Sequence, residues 1–161
     1  MKKPLADDIE IVIAQENDIH AVVALVQKTI DEIYPKFYGK EIVTFFLTHH
    51  CADNIAADIA ARRTVILKRD GTTVATGSFS GNHIYRVFVL SDEQGRGFGK
   101  LIMEILESKI LGEFDEVALE TSFGAKEFYE HIGYEKLREE EIMTESGALL
   151  KYDVMKKCRR L

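Results

Sequence analysis

Val87-Phe88-Val89-Leu90-Ser91-Asp92-Glu93-Gln94-Gly95-Arg96-Gly97-Phe98-Gly99-Lys100 is the stretch on which the reading of this 161-residue chain turns. It opens as an apolar strand, passes through three alternating glycines and runs into an amphipathic segment. Phe98, Leu101, Ile102, Ile105 and Leu106 recur at intervals of three and four, with Glu104, Glu107 and Lys109 largely off that face, which predicts a helix. Gly112 is placed to end it as the C′ residue. The first N–H groups of a helix have no intrahelical acceptor, and its macrodipole puts partial positive charge beside them. Glycines let the backbone close around an anion there, and Arg96 and Lys100 add charge. Strand, glycine turn and helix start therefore read as a phosphate-binding unit. Its spacing fits neither common nucleotide loop. Lys100 stands where G-x-G-x-x-G needs its third glycine, and a P-loop would need Gly at Gln94 and Ser or Thr at Leu101.

Upstream, residues 9–14 predict a first strand, and Asn17 or Asp18 a cap for a helix whose Ile19, Val22, Val23, Val26, Ile30 and Ile33 share one face. Pro35 ends that helix by pushing Tyr34 out of the helical region. Two short helices are expected over 41–47 and 54–61. Strands 65–69 and 73–80 form a hairpin through Asp70-Gly71, and Gly81-Asn82 turns the chain into a strand over 84–90. Simple alternation puts Tyr85, Val87 and Val89 on one face of that strand, and Ile84, Arg86, Phe88 and Leu90 on the other. Downstream, 116–121 reads as a strand, 125–132 as a helix stopped by Gly133, and 134–137 with 149–155 as a closing pair of strands.

With 46% hydrophobic residues, only two prolines and no low-complexity segment, residues 1–161 read as one domain. A net charge of −6 disfavours nucleic-acid partners. No apolar run approaches a membrane span, and the basic Lys156–Arg160 end reads as solvated. Cys51 and Cys158 match no paired motif and are expected as free thiols in the cytoplasm. His49-His50-Cys51 does not predict a metal site, because adjacent side chains diverge and no second ligand pair stands at zinc spacing.

Gln94-x-x-Gly97-x-Gly99 resembles the acetyl-CoA motif Q/R-x-x-G-x-G/A of the GNAT superfamily of N-acetyltransferases. Ala125-Lys126-Glu127-Phe128-Tyr129-Glu130-His131-Ile132-Gly133-Tyr134 independently resembles that family's A-x-x-F/L-Y-x-x-x-G-F/Y signature. The resemblance spans essentially the whole chain. It implies an α/β fold of mixed α+β type, with a mostly antiparallel central sheet splayed between strands four and five and flanked by helices. It also implies acetyl-CoA as cofactor, leaving CoA as product. By similarity the backbone at Val87, Phe88 and Val89 would pair with the pantetheine arm, and a backbone N–H near Val89 would serve as oxyanion donor. Gln94, Gly95, Arg96, Gly97, Phe98, Gly99 and Lys100 would hold the pyrophosphate, with Ser122 and Phe128 as further contacts. Tyr129 matches a tyrosine that protonates the departing thiolate, a role suited to a phenol protonated at neutral pH. Tyr129 also shares an apolar face with Ala125, Phe128 and Ile132, where it could simply pack.

The chain departs from the family pattern at two positions. Ser122 stands where asparagine is frequent, and Ser91 where proline is. The general base stays open among Glu120, His83 and Tyr85. The aromatic segment 33–51, with Tyr34, Phe37, Tyr38, Phe45, Phe46, His49 and His50, would wall the acceptor site, and the acidic stretch 138–141 could draw in a cationic acceptor. The implied reaction is direct acetylation of a primary amine on a small molecule or peptide, by a monomer or a homodimer formed at an edge strand near the C-terminus. The competing reading is a catalytically silent GNAT-like module that binds CoA or a partner protein.

Overall fold

The computed structural model describes residues 8–122 and 124–160. Seven strands form one sheet: β1 (Ile9–Ile13), β2 (Thr64–Arg69), β3 (Thr72–Ser80), β4 (His83–Val89), β5 (Glu116–Thr121), β6 (Glu135–Met143) and β7 (Leu149–Cys158). Their order is β1-β2-β3-β4-β5-β7-β6, antiparallel throughout except for the parallel contact of β4 with β5. The helices are α1 (Ile19–Ile33), α2 (Lys40–His49), α3 (Ala52–Ala60), α4 (Phe98–Ile110) and α5 (Lys126–His131). This is the mixed, splayed architecture that the resemblance implies.

Two cores sandwich the sheet. On one face Val22, Leu25, Val26 and Ile30 of α1 meet Ile55 and Ile59 of α3 over Ile66 and Phe88. On the other, Ile102, Met103, Leu106 and Ile110 of α4 lie on Val65, Leu67, Val117, Leu119 and Met155. Each of those four α4 side chains is almost wholly buried and contributes about 1.5–3 kcal/mol. That anchors the helix whose first turn carries the glycine loop.

The turn predictions hold at the β2–β3 hairpin, where Asp70 and Gly71 both take positive φ (51° and 81°). Four other expectations are corrected. The Asp18 side chain accepts the Gln15 N–H (2.9 Å) and pairs with Lys68 instead of capping α1. Gly112 follows the C-cap Leu111 but does not adopt a left-handed conformation, so α4 ends by Glu113 and Phe114 N–H groups returning to the Ile110 carbonyl. Glu107 is buried, because Lys157 of β7 reaches its carboxylate with two contacts of 3.0 and 3.2 Å. β6 and β7 run well past the predicted ends, to Met143 and Cys158. β6 is an edge strand exposed along most of its length, and a bulge between Lys136 and Arg138 shifts its register, so no clean alternation marks it.

The strand alternation predicted for β4 also fails, for a physical reason. Thr76 pairs with Phe88 but Ser78 with Tyr85, so Arg86 and Val87 together oppose the single residue Gly77. Arg86 takes φ +54° at this bulge, a conformation that costs a non-glycine residue about 1–2 kcal/mol. The extra residue turns Ile84 to the same side as Val87 and Val89, against α4, while Tyr85, Arg86 and Phe88 face α1 and α3.

Candidate active site

β4 and β5 pair only at His83 and Ala118, supported by an Ala118 N–H donated to the Asn82 carbonyl at 2.9 Å. Beyond that point the strands part, and a cleft of about 350 Å³ opens between them. The opposite edge of β4 is held by β3. Among the described residues, the edge facing β5 is open from Tyr85 to Val89, apart from the Val89 carbonyl, which accepts the Gln94 side-chain N–H at 3.1 Å. That bond ties the glycine loop to the end of the open strand.

Gly95 and Gly97 sit at φ 79° and 86°, and a Cβ on either would meet nothing within 4 Å. The need for glycine here is conformational rather than spatial. Leu101 N–H makes the first helical bond, to the Gly97 carbonyl (3.1 Å), and no described acceptor takes the N–H groups of Gly95 through Lys100. A row of free donors at the start of a thirteen-residue helix, with open space above two glycines, fits a pyrophosphate. Phe98 offers only its backbone, since its side chain belongs to the core. Phe128 packs on the helix start, its Cζ 3.3 Å from where a Gly99 Cβ would lie. Lys100 is exposed. Arg96 is partly committed, lying 3.5 Å from Glu93. Glu93, which sequence reasoning did not single out, is buried and held by two contacts from Arg69, Nε at 3.0 Å and a shorter one from Nη2. It braces the loop against β2.

Tyr129, on α5, lines the cleft beside Tyr34 of the segment after α1. No described group hydrogen-bonds the Tyr129 hydroxyl. Burial pushes its phenol well above the ordinary range, and Tyr34 adds to the shift, so the group is protonated at neutral pH. Burial raises Tyr34 to about 12, with a hydrogen bond involving Ser122 pulling partly the other way. Ser122 is thus engaged with a tyrosine of the opposite wall.

On the α2–α3 side, Asp58 is the hub of a buried network. Its Oδ1 accepts from Arg63 Nε and Nη2 (3.0 and 2.7 Å) and from the Tyr85 hydroxyl (2.8 Å), and its Oδ2 from Arg86 Nη1 (2.5 Å). Burial alone would raise the Asp58 carboxyl, but the three donors outweigh it and hold the group below its ordinary value. Arg86 Nε–H also donates to His50 Nδ1 (3.1 Å). His50 therefore carries its proton on Nε2, and burial, Arg86 and His49 lower its pKa to about 3. His49 is lowered too, by burial and Arg86, with Glu120 acting in the opposite sense. Both imidazoles are neutral bases at pH 7.

Of the three candidate bases, Tyr85 donates its hydroxyl to Asp58, and burial together with that bond raises its phenol. Glu120 lines the cleft, and its Oε2 lies 2.5 Å from His83 Nε2. His83 stands behind it, off the cleft wall. Tyr34, Phe45, Phe46, His49 and His50 do line the cleft, whereas Phe37 lies over Gly124 beside an adjoining recess. In the acidic stretch, Glu139 pairs with Lys136 (3.9 Å) and Glu140 with Arg138 (2.6 Å) and the Tyr152 hydroxyl (2.9 Å).

A family model described as an acetyltransferase (GNAT) domain matches residues 11–152. The chain belongs to the GNAT acetyltransferase family. It is an acyl-CoA-dependent N-acyltransferase. Solved structures carry the same fold. A GCN5-related N-acetyltransferase from Rhodopseudomonas palustris superposes with a TM-score of 0.83 at 20% identity, covering 96% of each chain. The PaiA N-acetyltransferase from Thermoplasma acidophilum, in complex with coenzyme A, gives 0.76 at 14% identity over 94% of this chain and 99% of its own. The ribosomal-protein-S18-alanine N-acetyltransferase from Escherichia coli gives 0.70 at 15% identity over 96% of each chain. A sequence search of curated proteins returned no match. In this GNAT chain β4 from Ile84 to Phe88, Glu120 of β5 and Tyr129 of α5 line one cleft, and the glycine loop lies beyond it, tied to the end of β4 by Gln94. The Asp58 network had no motif to reveal it. Among the described residues no helix is long and apolar enough to cross a membrane.

Proposed function

We propose that this protein transfers the acetyl group of acetyl-CoA to a primary amine by direct attack within the cleft between β4 and β5. The observation that carries this reading is a cleft at the parting of β4 and β5, walled by β4 and by a protonated Tyr129 that no described group hydrogen-bonds, with β4 leading through the glycine loop into a helix start whose N–H groups have no described acceptor. The loop from Gln94 to Lys100 would hold the pyrophosphate through its backbone, with Lys100 adding charge and Phe128 flanking it. Val87, Phe88 and Val89 would offer their open backbone edge to the pantetheine arm, in the manner of an added strand. Bound acetyl-CoA supplies an activated thioester carbonyl. Glu120 would accept the proton of the incoming ammonium, directly or through water, with His83 positioning its carboxylate. Tyr129 holds a proton at its hydroxyl for the departing sulfur. Ser122 acts through Tyr34 rather than on the cofactor alone. We further infer a cytoplasmic protein of one domain without nucleic-acid partners, consistent with its net charge of −6.

Thermal unfolding with acetyl-CoA, followed by measurement of CoA release with added amines, tests this reading. A ligand at about 100 times its Kd stabilises by about 2.7 kcal/mol, a rise of roughly 5–10 °C for a chain of this size. Gly97→Glu, which puts a carboxylate and a strained φ into the loop, should abolish the shift. Tyr129→Phe should keep the shift and lower kcat by about 10²-fold or more. No shift in the wild-type protein would sink the proposal.

A further inference from the structure

The charges around the cleft restrict what can enter it. Among the described residues that line it, Arg86 and Glu120 are the only ones that carry a full charge, since both histidines stay neutral. Arg86 is already matched. Asp58 takes Nη1, His50 takes Nε, and only 5% of the side chain is exposed. Arg63, the second cation on Asp58, is 39% exposed and lies outside the lining. This leaves one carboxylate, Glu120, with 44% of its side chain exposed and its partner His83 outside the lining. The rest of the wall is mostly aromatic or aliphatic, with Tyr34, Phe45, Phe46, Ile142, Leu150 and Tyr152, and its other polar groups, Thr121, Ser122 and the two histidines, are uncharged. The adjoining recess shares Thr121, Ser122 and Tyr152 with the cleft; its own charges, Lys126, Lys151, Glu127, Glu139 and Asp153, line that recess and not the cleft, and the sheltered Asp153 is paired with Lys126 (3.6 Å) and Lys136 (3.3 Å).

Resting on the acetyltransferase reading above, we infer that the acceptor is a small monoamine with an aromatic or branched apolar body and no carboxylate, its ammonium at Glu120 and its body against the Phe45–Phe46 wall. A polyamine or aminoglycoside would bring several ammonium groups to a single carboxylate, and every further cation would be desolvated against rings without a counter-charge. A free amino acid would bring a carboxylate to a cleft whose one cation is already bound twice. An apolar body gains burial against that wall.

The test is CoA release by the full-length protein with phenethylamine, isoamylamine, 1,4-diaminobutane, spermidine, phenylalanine and a short lysine-bearing peptide. Phenethylamine or isoamylamine should give the highest kcat/KM, about tenfold or more above the others. Phe45→Glu, which adds a carboxylate to the wall, should raise the ratio of 1,4-diaminobutane to phenethylamine turnover. Preference of the wild-type protein for a polyamine, the amino acid or the peptide would overturn this inference while leaving acetyl transfer intact. An unchanged ratio in Phe45→Glu would overturn the placement of the acceptor against that wall. Acetyl-CoA binding without transfer to any amine would overturn the acetyltransferase reading, and this inference with it.

Discussion

At His50 the Arg86 Nε–H approaches Nδ1 to 3.1 Å, and the ring lies buried between Phe46 and Phe88. A proton on Nδ1 would face the guanidinium, so the native state refuses what the unfolded chain accepts. With a folded pKa of about 3 against an ordinary 6.5, the unfolded state binds more protons throughout that window, and stability falls as pH drops from about 6.5 toward 3. The slope reaches about 1.4 kcal/mol per pH unit. Asp58 acts lower. Its carboxyl is held below 3.8, so its contribution is present above that value and is lost as pH falls through the depressed one. Urea unfolding at pH 7, 6, 5 and 4.5 should therefore show a decline that His50→Gln flattens, since the amide oxygen still accepts from Arg86 but does not titrate. Equal slopes in the two proteins would show that His50 is not the group held neutral. None of this was legible from residue types. Asp58 reads as one more acid on a helix, and its partner Arg86 lies 28 positions away. Glu107 meets Lys157 across 50 positions and Glu93 meets Arg69 across 24. Burial of a charge depends on such distant partners, which a local pattern does not carry.

For the elements, most of the chain announces itself locally. The α1 and α4 stripes, the Asp70-Gly71 and Gly81-Asn82 turns and the glycine loop need only near neighbours. β4 does not, because its bulge is set by what lies across it. Gly77 opposes Arg86 and Val87, and a Cβ at Gly77 would fall 2.7 Å from Ile102 Cγ2 and 2.8 Å from Leu106 Cδ1, both wholly buried. This glycine lets α4 lie close on the sheet. Gly77→Ala should destabilise the protein by about 1–3 kcal/mol through overpacking. Because α4 begins in the glycine loop, the variant should also raise the KM for acetyl-CoA; denaturant titration and steady-state kinetics measure the two effects. A neutral outcome in both would mean that α4 slides along the sheet without disturbing its first turn. β6 runs past its predicted end for a different reason. Exposed and bulged, it shows neither alternation nor an apolar run.

Across the whole molecule, β1–β4 and β5–β7 form two half-sheets joined by one pair of residues and by the α4 core beneath them. The two halves of the family signature, the loop and Phe128-Tyr129, lie on opposite sides of this seam, which is why both were readable while the acceptor side was not. A ligand lying along β4 should complete the seam. Hydrogen exchange with saturating CoA should slow at the amides of Tyr85 through Val89 and at the loop, leaving the β1–β2 ladder unchanged; protection spread evenly over the sheet would argue against binding at the open edge. The extra residue at Arg86 also bears on how this chain is aligned with its distant relatives. If strict alternation is carried through the strand, Ile84 and Tyr85 fall in the wrong columns, and cofactor-side and acceptor-side positions exchange labels. Positions on the acceptor side have to be numbered backward from the bulge, and those on the cofactor side forward to the glycines. Substitutions in the first half of the strand can then retune the choice of amine without entering the columns that define the family.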